Sequence, residues 1–233
     1  NQRFYEKSSG QNIMPEQQVS LIKKTFIFVI CLIPLLLGFI IPVSILLNYV
    51  FSGFSVIDFT EIIETTLASI SLSLSASFLI MFTSFMMVVV ANYKSNSFQK
   101  SIIFLASCGY AFPGTILAVG VVVFVGWLNE LIYFHVNYFV GGFLILMFAY
   151  TIRFLAVGNG AVKSGVLRIH PNLMDASQTM GVSFFQSLRK IIFPLVYSNI
   201  LVGGILVFVD ILKELPITLI LRPFNFETLA TYV

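Results

Sequence analysis

Asp210, Lys213 and Glu214 set three charges within five positions, directly after the charge-free stretch 191–209. A charge at the centre of a bilayer costs about 2.5–3.5 kcal/mol on insertion scales, so such residues are shallow, paired or turned toward an aqueous path. Asp210 and Lys213 are i, i+3 neighbours and can pair on a helix. Glu214 is left over, just before a break expected at Pro216. Two readings of Glu214 stand: a hard oxygen ligand touching a metal ion in transit, or a structural charge capping the outer face of a bundle. No set of Asp, Glu, His and Tyr has the spacing of a stable metal site.

Other candidate chemistry thins out quickly. Gly158-Asn-Gly-Ala-Val-Lys163-Ser164 is the nearest approach to a phosphate loop. Val162 stands where that loop needs Gly, and no buried strand precedes it, so any ATP is expected on another chain. His135, between Tyr133 and Tyr138 and after Trp127, reads as part of an interfacial aromatic belt. His170, before Pro171, reads as a turn residue. Cys31 and Cys108 lie inside apolar runs and read as small buried hydrophobes. With no convergent nucleophile or metal set, the chain is not expected to be an enzyme.

The elements that position these residues follow from composition. Of 233 residues, 58% are hydrophobic and 10% charged, with a mean hydropathy of +0.97; soluble domains carry about 45–50% apolar and about 25% charged residues. Charge-free runs cover 25–57, 65–93, 101–129, 131–152 and 191–209, and about 20 apolar residues in a helix span a bilayer core. A soluble enzyme, a disulfide scaffold and a nucleic-acid binder are excluded. The fold class is an all-α polytopic membrane protein. Residues 1–24 read as a cytoplasmic tail or linker, too long to be a signal-peptide lead, and 25–233 as one transmembrane domain. The chain starts at Asn1 and stops at Val233 within an apolar stretch. It therefore reads as a fragment, with a sixth helix starting near Glu227.

Basic residues gather on the cytoplasmic side of membrane proteins. If the five runs alternate, eleven of the 13 Lys and Arg fall on the side of the N-terminus. The N-terminus is therefore expected inside and Asp210–Glu214 toward the outside. Arg153, at the inner end of run four, is expected to snorkel to the headgroups, with an inner-gate contact as the alternative. Asp58 or Thr60 is expected to cap run two, with Glu61 and Glu64 in its first turn, and Tyr93–Ser97 is a tight turn. Pro113 should kink run three. A kink there either lines a cavity or serves close packing through Gly109, Gly114 and Gly120.

The long connection 153–194 has structure of its own. Pro171-Asn172 predicts a stop and an N-cap, Asp175 falls at N3, and Leu173–Met180 makes about two turns. Gly181 takes the C′ position, where positive φ is usual. Ser183-Phe-Phe-Gln186 is a capping box opening a second helix that continues through Pro194 into run five. Leu188, Ile191 and Ile192 recur at helical spacing, with Arg189 and Lys190 facing headgroups or cytoplasm. With Ala176 and Ser177 on its surface, the first helix either docks into a cytoplasmic partner or rests on the membrane.

Asp175-Ala-Ser, three residues, Gly181, nine residues, then Ile191-x-Phe193-Pro194 resembles the EAA loop of ABC-importer permeases, whose form is Glu-Ala-Ala, three residues, Gly, nine residues, Ile-x-Leu-Pro. Three further stretches resemble the binding-protein-dependent ferric-iron permeases: Gly109–Gly120, Val209-Asp-Ile-Leu-Lys-Glu-Leu-Pro216, and Leu221–Ala230. The likeness covers about residues 20–233, the second of two homologous membrane halves, and lacks its last helix.

The resemblance implies a type I ABC importer transmembrane domain with five spans in a bacterial inner membrane. The EAA loop, about 170–194, would carry a coupling helix seated in a dimer of ATP-binding subunits. Asp175, Ala176, Ser177, Gly181 and Pro194 are its candidate residues. A periplasmic binding protein would deliver ferric ion, and Tyr110, Pro113, Asp210 and Glu214 are candidates for the path. The first membrane half would be fused upstream, ATP would sit on the partner subunit, and no cofactor or nucleic acid would bind this chain. Permeases for phosphonate, thiamine or a polyamine are alternatives of the same class. A gradient-driven secondary transporter using Asp210, Lys213 and Glu214 is the alternative of a different class.

Overall fold

Lipid offers no partner to backbone N–H and C=O groups, so apolar runs of this length close their hydrogen bonds internally as helices. The computed structural model describes residues 20–53, 59–93, 97–132, 142–170 and 172–232, and their regular structure is helical. The chain divides after Asp58 into two compact units.

In the first unit Leu21–Gly53 form one apolar helical stretch of 33 residues, about 50 Å long. It consists of α1 (Leu21–Leu35), a π-helical segment Leu36–Ile40, and α2 (Ile41–Gly53). The π segment lies between Pro34 and Pro42. A wider turn there accommodates the missing proline N–H and the ring's clash with the preceding turn.

In the second unit α3 (Phe59–Tyr93), α6 (Phe143–Val166) and α9 (Phe193–Leu212) pack on one another. Small residues set how closely they approach. Ser69, Ser73, Ala76, Ser77 and Ser84 are buried on α3. Ser77 Oγ donates to the Gly204 carbonyl at 2.8 Å, and a Cβ on Gly158 would collide with the Ser84 hydroxyl. Leu72, Ile80, Leu146, Tyr150, Val162 and Val207 fill the centre. Around this core stand α4 (Ser97–Ser107), α5 (Gly114–Ile132), α7 (Asn172–Thr179), α8 (Phe184–Ser187), α10 (Pro216–Leu221) and α11 (Leu229–Tyr232).

Among the described residues four helices are long and apolar enough to cross a membrane, or five when the bent pair α4–α5 counts as one span. That pair corrects the expected kink in run three. The helix axis turns by 119° between the two halves, a break rather than a kink. A 3₁₀ turn at Cys108–Ala111 ends the first half and Phe112 is extended, with φ −81° and ψ 138°, the conformation forced on a residue preceding proline.

Run four is also displaced. It was expected over 131–152, but α6 runs from Phe143 to Val166 and holds Arg153 and Lys163 within it. The connection to α8 shrinks accordingly to residues 167–183. Thr60 lies inside α3 rather than capping it; of the two acids expected in its first turn, Glu61 is there and Glu64 lies beyond it. Asp58, residues 94–96 of the predicted turn, and His135 with Tyr133 and Tyr138 lie outside the described residues. A further helix is expected to begin near Glu227, and α11 begins at Leu229. The Leu229 N–H donates to Ser69 Oγ at 2.7 Å and the Tyr232 hydroxyl to Glu61 Oε2 at 3.2 Å, holding it on the start of α3.

Candidate functional site

The charged cluster sits at a second helix break. α9 ends at Leu212, Lys213 leaves helical geometry at φ −94° and ψ 1°, and Pro216 opens α10 at a position where its missing N–H is no loss. Lys213 Nζ lies 2.8 Å from Asp210 Oδ1, the pair the spacing predicts. Glu214 is not left over. Its Oε2 lies 3.4 Å from Arg153 Nε, and the carboxylate is buried.

Arg153 does not snorkel. It stands ten residues into α6, half-buried, and Nη1 donates to the Phe112 carbonyl at 2.8 Å. The turn broken at Pro113 leaves that carbonyl without its helical donor, and the guanidinium supplies one. Its carbon also lies 5.7 Å from the Phe154 ring centre. The charge has an acid, a carbonyl and an aromatic face around it.

The two breaks close on this pair. A Cβ on Gly114, the first residue of α5, would stand 2.6 Å from Glu214 Oε1 and 3.4 Å from Arg153 Nη1, so any side chain there would push the carboxylate aside. The Tyr150 hydroxyl of α6 bonds Thr218 Oγ1, which in turn reaches the Glu214 carbonyl, pinning α10 to α6. Tyr110, half exposed, meets Phe154 edge-on with ring centres 6.5 Å apart. The four predicted path residues therefore gather where the middle of α6 meets both breaks. Two acids and two bases balance in formal charge. Glu214 Oε1 and Arg153 Nε are both buried at this junction.

In the sequence Arg153 looks like the end of a span because it is the first charge after an apolar run. The series Phe154, Gly158, Val162, Val166, at steps of four, already carried the helix past it, and a lone Glu214 in an apolar setting calls for a base.

The second site is α7. Asp175 and Ala176 are exposed on it; Met174 and Ser177 are buried. Ser177 was expected on the surface. Instead its hydroxyl donates to the Met174 carbonyl at 2.7 Å and lies 2.7 Å from Ser187 Oγ, tying α7 to α8. Asn172 opens the helix rather than capping it: the N–H of Asn172 meets His170 Nδ1 at 3.4 Å and that of Leu173 the His170 carbonyl at 3.1 Å.

The other end of α7 is locked as its spacing predicts. Gly181 has φ +82°. The Gly181 N–H reaches the Gln178 carbonyl at 2.9 Å and the Val182 N–H reaches that of Ser177 at 3.1 Å, a full Schellman closure. Ser183 and Gln186 form the reciprocal capping box. The chain then runs through a π-helical segment, Leu188–Ile192, into α9, with Pro194 exposed in its first turn. Gly158–Ser164 lies within α6 as helix, not as a loop around a phosphate.

Residues 88–225, more than half of the chain, match the sequence model described as binding-protein-dependent transport system inner membrane component. The chain belongs to this family. The matched region begins in the last turns of α3 and contains both helix breaks, α6, α7 and α9. The molecule is thus an ABC permease subunit with the type I fold, a multi-pass transport protein of the inner membrane. Membership implies an ATPase and a ligand-binding protein as partners of the permease. Comparison with individual curated proteins gives no match.

Proposed function

We propose that the permease carries ferric iron, handed over by a periplasmic binding protein, and that α7 couples this movement to an ATP-binding dimer on the cytoplasmic side. On this reading the N-terminus is cytoplasmic, and a homologous membrane half, fused upstream, completes the path. The observation that carries the coupling role is the locked geometry of α7. Eight residues are closed at one end by a Schellman turn and pinned by Ser177 to Ser187, with Asp175 and Ala176 left outward. Such a helix moves as a unit and passes on a push. ATP closing the partner dimer would shift α7, and α8 with α9 would carry the shift to the break at Lys213–Leu215.

Iron as cargo is supported by oxygen donors of the hard class, Asp210 and Glu214 at that break and Tyr110 at the one before α5. Each acid already faces a base, an arrangement suited to transient contact rather than retention. The same charge balance favours a second reading, a permease for phosphonate, thiamine or a polyamine. Competition decides between them. Radiolabelled ferric iron is supplied with the binding protein to vesicles holding the complete importer, against excess unlabelled phosphonate, thiamine or spermidine. The iron reading expects competition from unlabelled ferric iron alone. Uptake of one of the other ligands with iron ignored refutes it and keeps the importer.

A further inference from the structure

At the end of the bundle that carries α7, a cavity of about 570 Å³ opens between α3, α4 and α6, within the range of about 300–1,000 Å³ usual for ligand pockets. Val88, Ile103, Phe104, Val166 and Leu167 give it apolar walls. Phe104 and Leu167 are 69% and 62% exposed, so the apolar walls continue onto the outer surface of the bundle. Four polar residues converge on the cavity: Asn92, Ser107, Asn159 and Lys163.

Asn159 is 4% exposed, and its Oδ1 has no hydrogen-bond partner among the described residues. Its amide nitrogen faces Ser107 Oγ at 3.5 Å, and the Ser107 hydroxyl is itself spent on the Ile103 carbonyl at 2.8 Å. The amide oxygen therefore waits for a donor from outside the fold, since a buried acceptor is rarely left bare. Lys163 lies one helical turn further along the same face of α6, exposed, with no carboxylate within ion-pair distance among the described residues. A last-turn lysine alone is an ordinary helix-end cation; an unsatisfied buried amide beside it in a built cavity is not.

We infer that this cavity binds an anionic phospholipid with a hydroxylated headgroup, of the phosphatidylglycerol kind. The phosphate meets Lys163 at the mouth, the Asn159 amide turns to present its buried Oδ1 to a headgroup hydroxyl, and the acyl chains lie along Phe104 and Leu167. A basic pocket between membrane helices is a recurrent setting for anionic headgroups. A soluble anion would leave the apolar walls unused, and a zwitterionic choline lipid would bring no hydroxyl donor. The inference concerns the lipid bound by the fold and stands whichever cargo is carried.

The test uses the full chain in its importer complex, in nanodiscs of phosphatidylcholine doped with phosphatidylglycerol bearing a photoreactive acyl chain. Expected is labelling of the peptides around Phe104 and Leu167, competed at least tenfold better by unlabelled phosphatidylglycerol than by phosphatidylcholine. Lys163→Gln should lose most of the labelling, Lys163→Arg should retain it, and Asn159→Leu should reduce it several-fold. Lys163 is exposed, so its variants leave the fold intact. Labelling unchanged in Lys163→Gln would overturn the inference. So would equal competition by phosphatidylcholine, or loss of labelling in millimolar inorganic phosphate, which would mark a site for a soluble anion.

Discussion

Arg153 Nε lies 3.4 Å from Glu214 Oε2, and through this pair the middle of α6 holds two interrupted helices at once. Glu214 belongs to the break between α9 and α10, and the same guanidinium takes up the Phe112 carbonyl freed at the break before α5. One guanidinium thus ties the two breaks together, donating to a bare backbone carbonyl at the first and pairing with a side chain at the second.

Removing one partner of a buried pair strands the other charge, at about 3–5 kcal/mol. Arg153→Met or Glu214→Leu should therefore lower the thermal midpoint of the purified complex sharply. The double variant, which leaves no orphan charge, should recover much of the loss. A double-mutant cycle on the midpoint checks this; strict additivity would deny the coupling.

Gly114→Ala places a methyl group against Glu214 Oε1. It should reproduce much of the single-variant destabilisation without changing any charge. The check is thermal unfolding of Gly114→Ala beside Gly120→Ala, because a Cβ on Gly120 meets nothing within 4 Å. Equal midpoints would contradict the close approach.

On α7, inward and outward residues should separate by readout. Ser177→Ala removes a buried hydrogen bond worth about 0.5–1.5 kcal/mol and should destabilise the fold slightly. Asp175→Lys reverses an exposed charge and should leave the midpoint alone while weakening co-purification with the ATPase subunit. The reverse pattern would mean that α7 presents its other face.

Local signals were legible along the chain where a residue's neighbours in sequence decide its state. The turn at Gly181 and the Ser183–Gln186 capping box follow from positions three to five residues apart, and both are present. The Asp210–Lys213 pair, one helical turn apart, was equally readable. Arg153 and Ser177 were not, because their states depend on partners 61 and 10 residues away. A charge looks like a span end until its counter-charge is located. A serine on a short helix looks solvent-facing until a second helix folds over it. Pro113 announced a disruption, but its size came from Arg153 stabilising the opened turn.

The most direct test of the coupling account is uptake of binding-protein-delivered cargo into proteoliposomes. The complete importer with ATP supplied is compared with its Gly181→Pro variant. Proline cannot take φ +82° and removes the N–H that closes α7 on Gln178. The account predicts ATP-dependent uptake by the wild type and loss of it in the variant, with the variant still inserted in the membrane and its partner still hydrolysing ATP. Uptake that persists in Gly181→Pro, or that proceeds equally without ATP, would contradict it and point to a gradient-driven transporter.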